Sequence, residues 1–198
     1  FSFAGSSTLR AQLEFGAVAD LFVSANERQM ELAYQADLLL ASPRLIAFNN
    51  LVVVVPAGSK QVTTLKDLTA PGIRIVIALP EVPVGAYARL ALVRMNGAPG
   101  FDRDFSQKVL TNVVSQEGNV RHVIAKVLLG EADAAIAYRS DLAGSSSDRI
   151  DAITVPPRFN VEARYLGAVT QNAPNLDLAE DFLDFILSAT SQKILQDY

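Results

Sequence analysis

Short apolar runs of strand character alternate with helix-period patterns along this chain, and that alternation restricts the fold to the α/β class. Strands are expected at Ser2–Ala4, Asp20–Val23, Leu51–Val55, Ile73–Ile77, Ala134–Ala137, Ile150–Val155 and Arg164–Val169. Helical patterns lie between most of them. Gly16, Gly97 and Gly130 stand where left-handed C-terminal caps would close the first helix, one beginning near Ala86 and one beginning near Asn119. Ser24-Ala25-Asn26-Glu27 has the spacing of a capping box and predicts a helix to about Gln35, with Met30 and Ala33 toward the core. From Leu178 to Tyr198 an amphipathic helical segment, broken near Ser188, is expected to pack through Phe182, Phe185, Ile186, Ile194 and Leu195.

At 198 residues the chain can bury a substantial core as one large domain or two small lobes. Half of it is apolar and 19% is charged, the balance of a packed globular protein. The net charge of −4, with 17 basic residues scattered rather than clustered, excludes the phosphate-backbone grip that nucleic acid requires. Runs such as Leu51–Val55 and Val123–Leu129 are far shorter than the roughly 20 residues that cross a bilayer. The absence of cysteine removes disulfides, thiol nucleophiles and thiolate metal sites. The chain starts at Phe1 rather than Met, and a leader is expected upstream.

Two strands read as connectors: Asn50 to Pro56, followed by Ala57-Gly58-Ser59, and Val161 to Thr170, preceded by Pro156-Pro157. The first lobe is then discontinuous, 1–53 with 162–198, and the second is the insert 54–161. Gly144-Ser145-Ser146-Ser147-Asp148 is a polar loop, and no repeat is present.

Three strand-to-helix junctions carry small residues where charged ones would be usual. In Gly5-Ser6-Ser7-Thr8 the backbone N–H groups of a helix start point outward, the macrodipole adds partial positive charge, and two hydroxyls supply further donors. The same serines would serve as an ordinary N-cap. Pro80-Glu81-Val82-Pro83-Val84-Gly85-Ala86-Tyr87 repeats the arrangement with Gly85 in place of bulk, or is an ordinary loop in which Pro83 presets the helix start. Glu117-Gly118-Asn119-Val120-Arg121 leads into a helix whose buried side is Val123, Val127 and Leu128, with Asn119 as a simple cap in the plainer account. Finally, Ala134–Ala137 ends in Tyr138, and ligands of open α/β sheets collect at the carboxyl ends of strands. Its phenol either donates to an anion there or wedges the strand end.

At these residues the chain resembles the periplasmic molybdate-binding proteins of ABC importers: Gly5–Leu9, Gly16–Ala25, Val82–Ala88, Asn119-Val120-Arg121, and Gly130–Ala134 with Tyr138, in that order, over nearly the whole length. The resemblance implies a type II periplasmic-binding-protein fold: two α/β lobes joined by crossover strands, with a tetrahedral oxyanion in the cleft between them. It assigns oxyanion binding to the Ser6 hydroxyl, the Val84 amide, the Val120 amide and the Tyr138 phenol. It further implies molybdate or tungstate as ligand, no cofactor, no directly coordinated metal, a membrane permease as partner, an extracytoplasmic location and a monomer. Three departures accompany it. Val84 stands where alanine is usual, Ala78-Leu79-Pro80 replaces Gly-Asp-Pro with a shortened loop, and a leading βαβ unit of about 30 residues precedes the corresponding segment in the family.

Such a dianion is fully deprotonated near neutral pH and needs only donors, each worth about 1.5 to 3 kcal/mol toward a charged acceptor. Protonated phosphate would call for a carboxylate, and only Glu81 and Glu117 stand at the margins of the turns. Sulfate remains an alternative ligand, and a two-lobed effector domain of a transcription regulator an alternative role. Catalysis is not indicated: His122 is a lone histidine, Asp181 and Asp184 fall on the solvent side of the last helix, and neither a nucleophile elbow nor a Walker loop is present.

Overall fold

The computed structural model describes residues 1–143 and 147–197. Of the polar loop, Gly144, Ser145 and Ser146 lie outside the described residues. Two compact units are formed, 1–49 with 163–198, and 50–162.

Unit 1 contains α1 (Ser6–Glu14), β1 (Leu21–Ser24), α2 (Glu27–Gln35), β2 (Arg44–Asn49), β8 (Ala163–Val169), α6 (Leu176–Leu187) and α7 (Ala189–Gln196). Its sheet has the order β1-β8-β2, and both neighbours run antiparallel to β8. On one side Phe22, Met30, Ala33, Leu39 and Ala168 form a buried cluster with Leu9 and Leu13 of α1 against it. On the other, Ile46 and Val169 pack with Ala179 and Leu183 of α6. Helices on both faces let β8 end in a fully buried run.

Ser2–Ala4 is not a strand. Its alternating pattern has β propensity, but a strand exists only where a ladder receives it, and the sheet of unit 1 does not extend to this segment. The face of α6 also differs from expectation. Ala179, Leu183 and Ile186 face the sheet. Phe182 and Phe185 occupy the adjacent stripe, 38% and 54% exposed, with ring centroids 6.4 Å apart and Phe1 6.1 Å from Phe182. Ile194 and Leu195 of α7 are exposed as well. The break at Ser188 is present, and its hydroxyl accepts the Ser191 N–H as the cap of α7.

Unit 2 contains β3 (Leu51–Pro56), β4 (Ile75–Ala78), α3 (Pro83–Met95), α4 (Phe105–Thr111), β5 (Val113–Glu117), α5 (Val120–Leu128), β6 (Ala134–Tyr138) and β7 (Ile150–Thr154). The sheet order is β5-β4-β6-β3-β7. β4 is parallel to both β5 and β6, whereas β3 is antiparallel to β6 and β7. β4 and β6 are buried at every position and α3 and α5 pack on them, so their near-continuous apolar sequences are what a sheet covered on both faces requires. Gly16, Gly97 and Gly130 all have positive φ just beyond helix ends, as the sequence predicts.

Asn160 ties the start of β3 to the segment that leaves this unit. Its Oδ1 accepts the N–H of Leu51 and of Val161, each at 2.9 Å, and its Nδ2 donates to the carbonyls of Leu51 at 2.9 Å and Val155 at 3.2 Å. Asn160→Ala strands these groups together, and denaturant unfolding should show a loss of about 2 to 4 kcal/mol at roughly 1 kcal/mol per bond.

Candidate functional site

In unit 2 the parallel set β5-β4-β6 brings three of the four expected residues to one sheet edge, because strands that run the same way finish on the same side. Beyond the end of β4 lies the turn into α3 with Val84, beyond β5 the turn into α5 with Val120, and β6 ends in Tyr138 itself. Ser6 belongs to unit 1, at the first position of α1.

The start of α3 is a buried turn without a side-chain cap. Val82 is its N-cap residue and makes no capping hydrogen bond, Pro83 presets the first turn, and Val84 is 1% exposed. Val82 N–H donates to the Leu79 carbonyl at 3.0 Å, and the first backbone bond of the helix runs from Ala86 N–H to Val82 O. The amide of Val84 therefore stays among the orphan donors of the helix terminus. Gly85 is dictated by closeness: a Cβ there would lie 2.1 Å from the Leu79 carbonyl oxygen and 2.5 Å from that of Ala78.

At α5, Asn119 is the N-cap residue, and its Oδ1 accepts the His122 N–H at 2.9 Å while its carbonyl accepts the Val123 N–H at 3.3 Å. The plainer account of Asn119 is thus correct as far as it goes. Capping consumes the amides of His122 and Val123 and leaves that of Val120, half-buried at the first helical position, outside the capping set.

In unit 1 the N-cap residue of α1 is Gly5, so Ser6 does not cap the helix. Its buried hydroxyl oxygen accepts the Ala25 N–H at 3.0 Å, which fixes the rotamer and leaves the hydroxyl proton for donation elsewhere. The Ser24-Ala25-Asn26-Glu27 stretch does not form the expected box. Asn26 is the cap, accepting Gln29 N–H at 3.0 Å, and Ser24 spends its hydroxyl on the Asn26 backbone. Glu27, displaced from the capping position, pairs with Arg164.

Tyr138 is 3% exposed, with a backbone N–H that donates to Asp141 Oδ2 at 3.0 Å. Sequence reading passed over Asp141, although a carboxylate three residues beyond a strand end is a common way to hold a turn. Burial pushes its carboxyl up to about 6, against the pull of the Tyr138 amide and of Arg121. The folded chain therefore takes up a proton between about pH 6 and the ordinary aspartate range. The stability tied to this group is fully present below about pH 4 and is lost as the pH rises through 6. Asp141→Asn, which keeps an acceptor for the Tyr138 amide, should stabilise the protein by about 2 to 3 kcal/mol at pH 7.5, at about 1.4 kcal/mol per pKa unit, and leave it nearly unchanged at about pH 3, below the ordinary aspartate value. Denaturant titrations at the two pH values measure this.

Glu117, at the margin of the turn into α5, accepts the Ser115 hydroxyl at 2.6 Å, and no cluster of His, Asp or Glu suited to a metal ion occurs among the described residues. His122 is exposed on α5, and Asp181 and Asp184 are exposed on α6, where Asp184 pairs with Arg44. No helix is long and apolar enough to cross a membrane among the described residues.

The model of the bacterial extracellular solute-binding proteins matches residues 1–198. The chain is 36% identical over 196 residues to the molybdate-binding protein ModA of Mycobacterium tuberculosis, covering 98% of this chain and 70% of that one. To ModA of Escherichia coli it is 31% identical over 209 residues, covering all of this chain and 76% of the other. Among solved structures, the periplasmic molybdate-binding protein of Azotobacter vinelandii superposes with a TM-score of 0.80 at 21% identity, over 98% of this chain and 83% of that one, a likeness of fold. The architecture is the α/β periplasmic-binding-protein fold expected from the sequence, and the chain belongs to the bacterial extracellular solute-binding protein family, among relatives of the ModA type.

Proposed function

We propose that this chain captures molybdate, and tungstate alongside it, outside the cytoplasmic membrane and hands the oxyanion to the permease of an ABC importer. The donors are the Ser6 hydroxyl, the Val84 and Val120 amides and the Tyr138 phenol. The observation that supports this most is the gathering of Val84, Val120 and Tyr138 at the carboxyl ends of neighbouring parallel strands. These groups are electrically neutral, and two are amides of helix starts, where the partial positive charge of the dipole favours a dianion. A 36% identical relative named for molybdate binding supports the choice of oxyanion.

Chemistry on the ligand is not part of this role. Binding is hydrogen bonding alone, with no proton to move, and the protein works as a monomeric carrier without a cofactor. Donors fixed to helix ends define a nearly constant radius, so sulfate, with shorter bonds, meets fewer of them at once. Calorimetry with molybdate, tungstate and sulfate is the test. The first two should bind tightly and sulfate far more weakly. Molybdate at a thousandfold over its Kd should add about 4 kcal/mol to the stability against heat. No heat with either metal oxyanion, or equal affinity for sulfate, would overturn the reading.

A further inference from the structure

We infer that Arg89 is the positioning residue that fixes the distance between the two amide-bearing turns of unit 2 and thereby the size of oxyanion they accept. This rests on the oxyanion reading above. Arg89 lies on α3, one helical turn beyond Gly85, half-buried beneath the sheet edge. Its Nη1 donates to the Ala78 carbonyl at 2.8 Å and to the Gly85 carbonyl at 2.9 Å, while Nη2 donates to Gln116 Oε1 at 2.6 Å. One rigid plane thus binds the end of β4, the first turn of α3 and the end of β5.

Those anchors neighbour the proposed donors. Gly85 follows Val84 directly, and Ala78 is the last residue of β4, carrying one of the carbonyls that would crowd a Cβ at position 85. Gln116 precedes Glu117, whose carbonyl accepts the Leu79 N–H at 2.9 Å, and the chain then runs through Gly118 to Asn119 and Val120. The turns around Val84 and Val120 are therefore cross-linked by the Leu79 to Glu117 bond on one side and by the guanidinium on the other.

Because all its named hydrogen bonds go to carbonyl and amide oxygens of the protein, Arg89 acts on the ligand through the turns. Lysine would keep the charge and lose the geometry, since an ammonium on a flexible stem has no planar fork with which to hold three oxygens in fixed relation. Burial lowers the pKa of the Arg89 guanidinium from its ordinary value, which leaves it a cation at any pH the protein meets.

The test compares molybdate and sulfate affinities, by calorimetry at fixed ionic strength, for the wild type, Arg89→Lys and Gln116→Leu. Arg89→Lys should cut the molybdate to sulfate preference about tenfold despite its retained charge. Gln116→Leu, which removes only the exposed arm of the clamp, should cut it about threefold with little change in unfolding temperature. A preference unchanged in both variants, or a loss equal for the two anions, would overturn the role of Arg89 while wild-type binding preserves the oxyanion reading. Wild-type protein that bound neither anion would remove both. Should Arg89→Lys fold poorly, Gln116→Leu decides alone.

Discussion

Gly85→Ala is expected to lower the unfolding midpoint by about 10 °C and to abolish measurable molybdate binding. The added methyl would lie 2.1 Å from the Leu79 oxygen, 2.5 Å from the Ala78 oxygen and 2.8 Å from the Ala78 carbonyl carbon. All three are backbone atoms, so no rotamer change relieves the contact, and the first turn of α3 must lift away from the end of β4. Overpacking of this kind costs about 3 kcal/mol, which for a protein of this size corresponds to about 6 to 12 °C. The lift also moves the neighbouring Val84 amide, and a hydrogen bond fades over a displacement of a few tenths of an ångström. Gly118→Ala is the control in the other turn of unit 2, because a Cβ there meets nothing within 4 Å. Scanning calorimetry should separate the two variants clearly, and a Gly85→Ala midpoint equal to that of Gly118→Ala would refute the steric account.

Ser6→Ala and Tyr138→Phe should each weaken molybdate binding tenfold to a hundredfold. A hydrogen bond to a charged acceptor contributes about 1.5 to 3 kcal/mol, and each 1.4 kcal/mol is a factor of ten. The two variants should part company in stability. Removing the Ser6 hydroxyl leaves the Ala25 N–H without its acceptor, which should cost about 1 kcal/mol and 2 to 4 °C. Tyr138→Phe keeps the buried ring and the Tyr138 backbone bond to Asp141, so its midpoint should stay within a degree or two of the wild type. Affinity unchanged in both variants would remove these residues from the site.

Much of the candidate site is readable in the chain because its parts are local. Pro83 and Gly85 announce a helix that starts tightly against a strand end, Asn119 announces a cap, and the run Ala134–Tyr138 announces a buried strand with a polar tip. Arg89 carries a fainter local signal, being four residues past Gly85 and so returned by the helix to that carbonyl. Its reach to Gln116 has none.

Two strands escaped sequence reading, β2 and β5, and both are sheet edges. Each is at most half-buried along most of its length, and what makes it a strand is the ladder of its neighbour rather than its own hydrophobicity. Ser2–Ala4 is the converse, a good strand pattern with no ladder to join. The outward stripe of Phe182 and Phe185 follows the same logic, since composition sets how apolar a helix is but the neighbouring sheet selects which side it covers.

The chain by itself determined the class of its elements, the three glycine-closed helices and the chemical type of its proposed donors, because these depend on residues within one turn of one another. The tertiary structure alone decided which helix starts share a sheet edge, that Ser6 holds the Ala25 amide instead of capping α1, and which guanidinium ties β4 to β5. Those choices depend on hydrogen bonds and contacts between segments far apart in the chain, whose geometry no local pattern encodes.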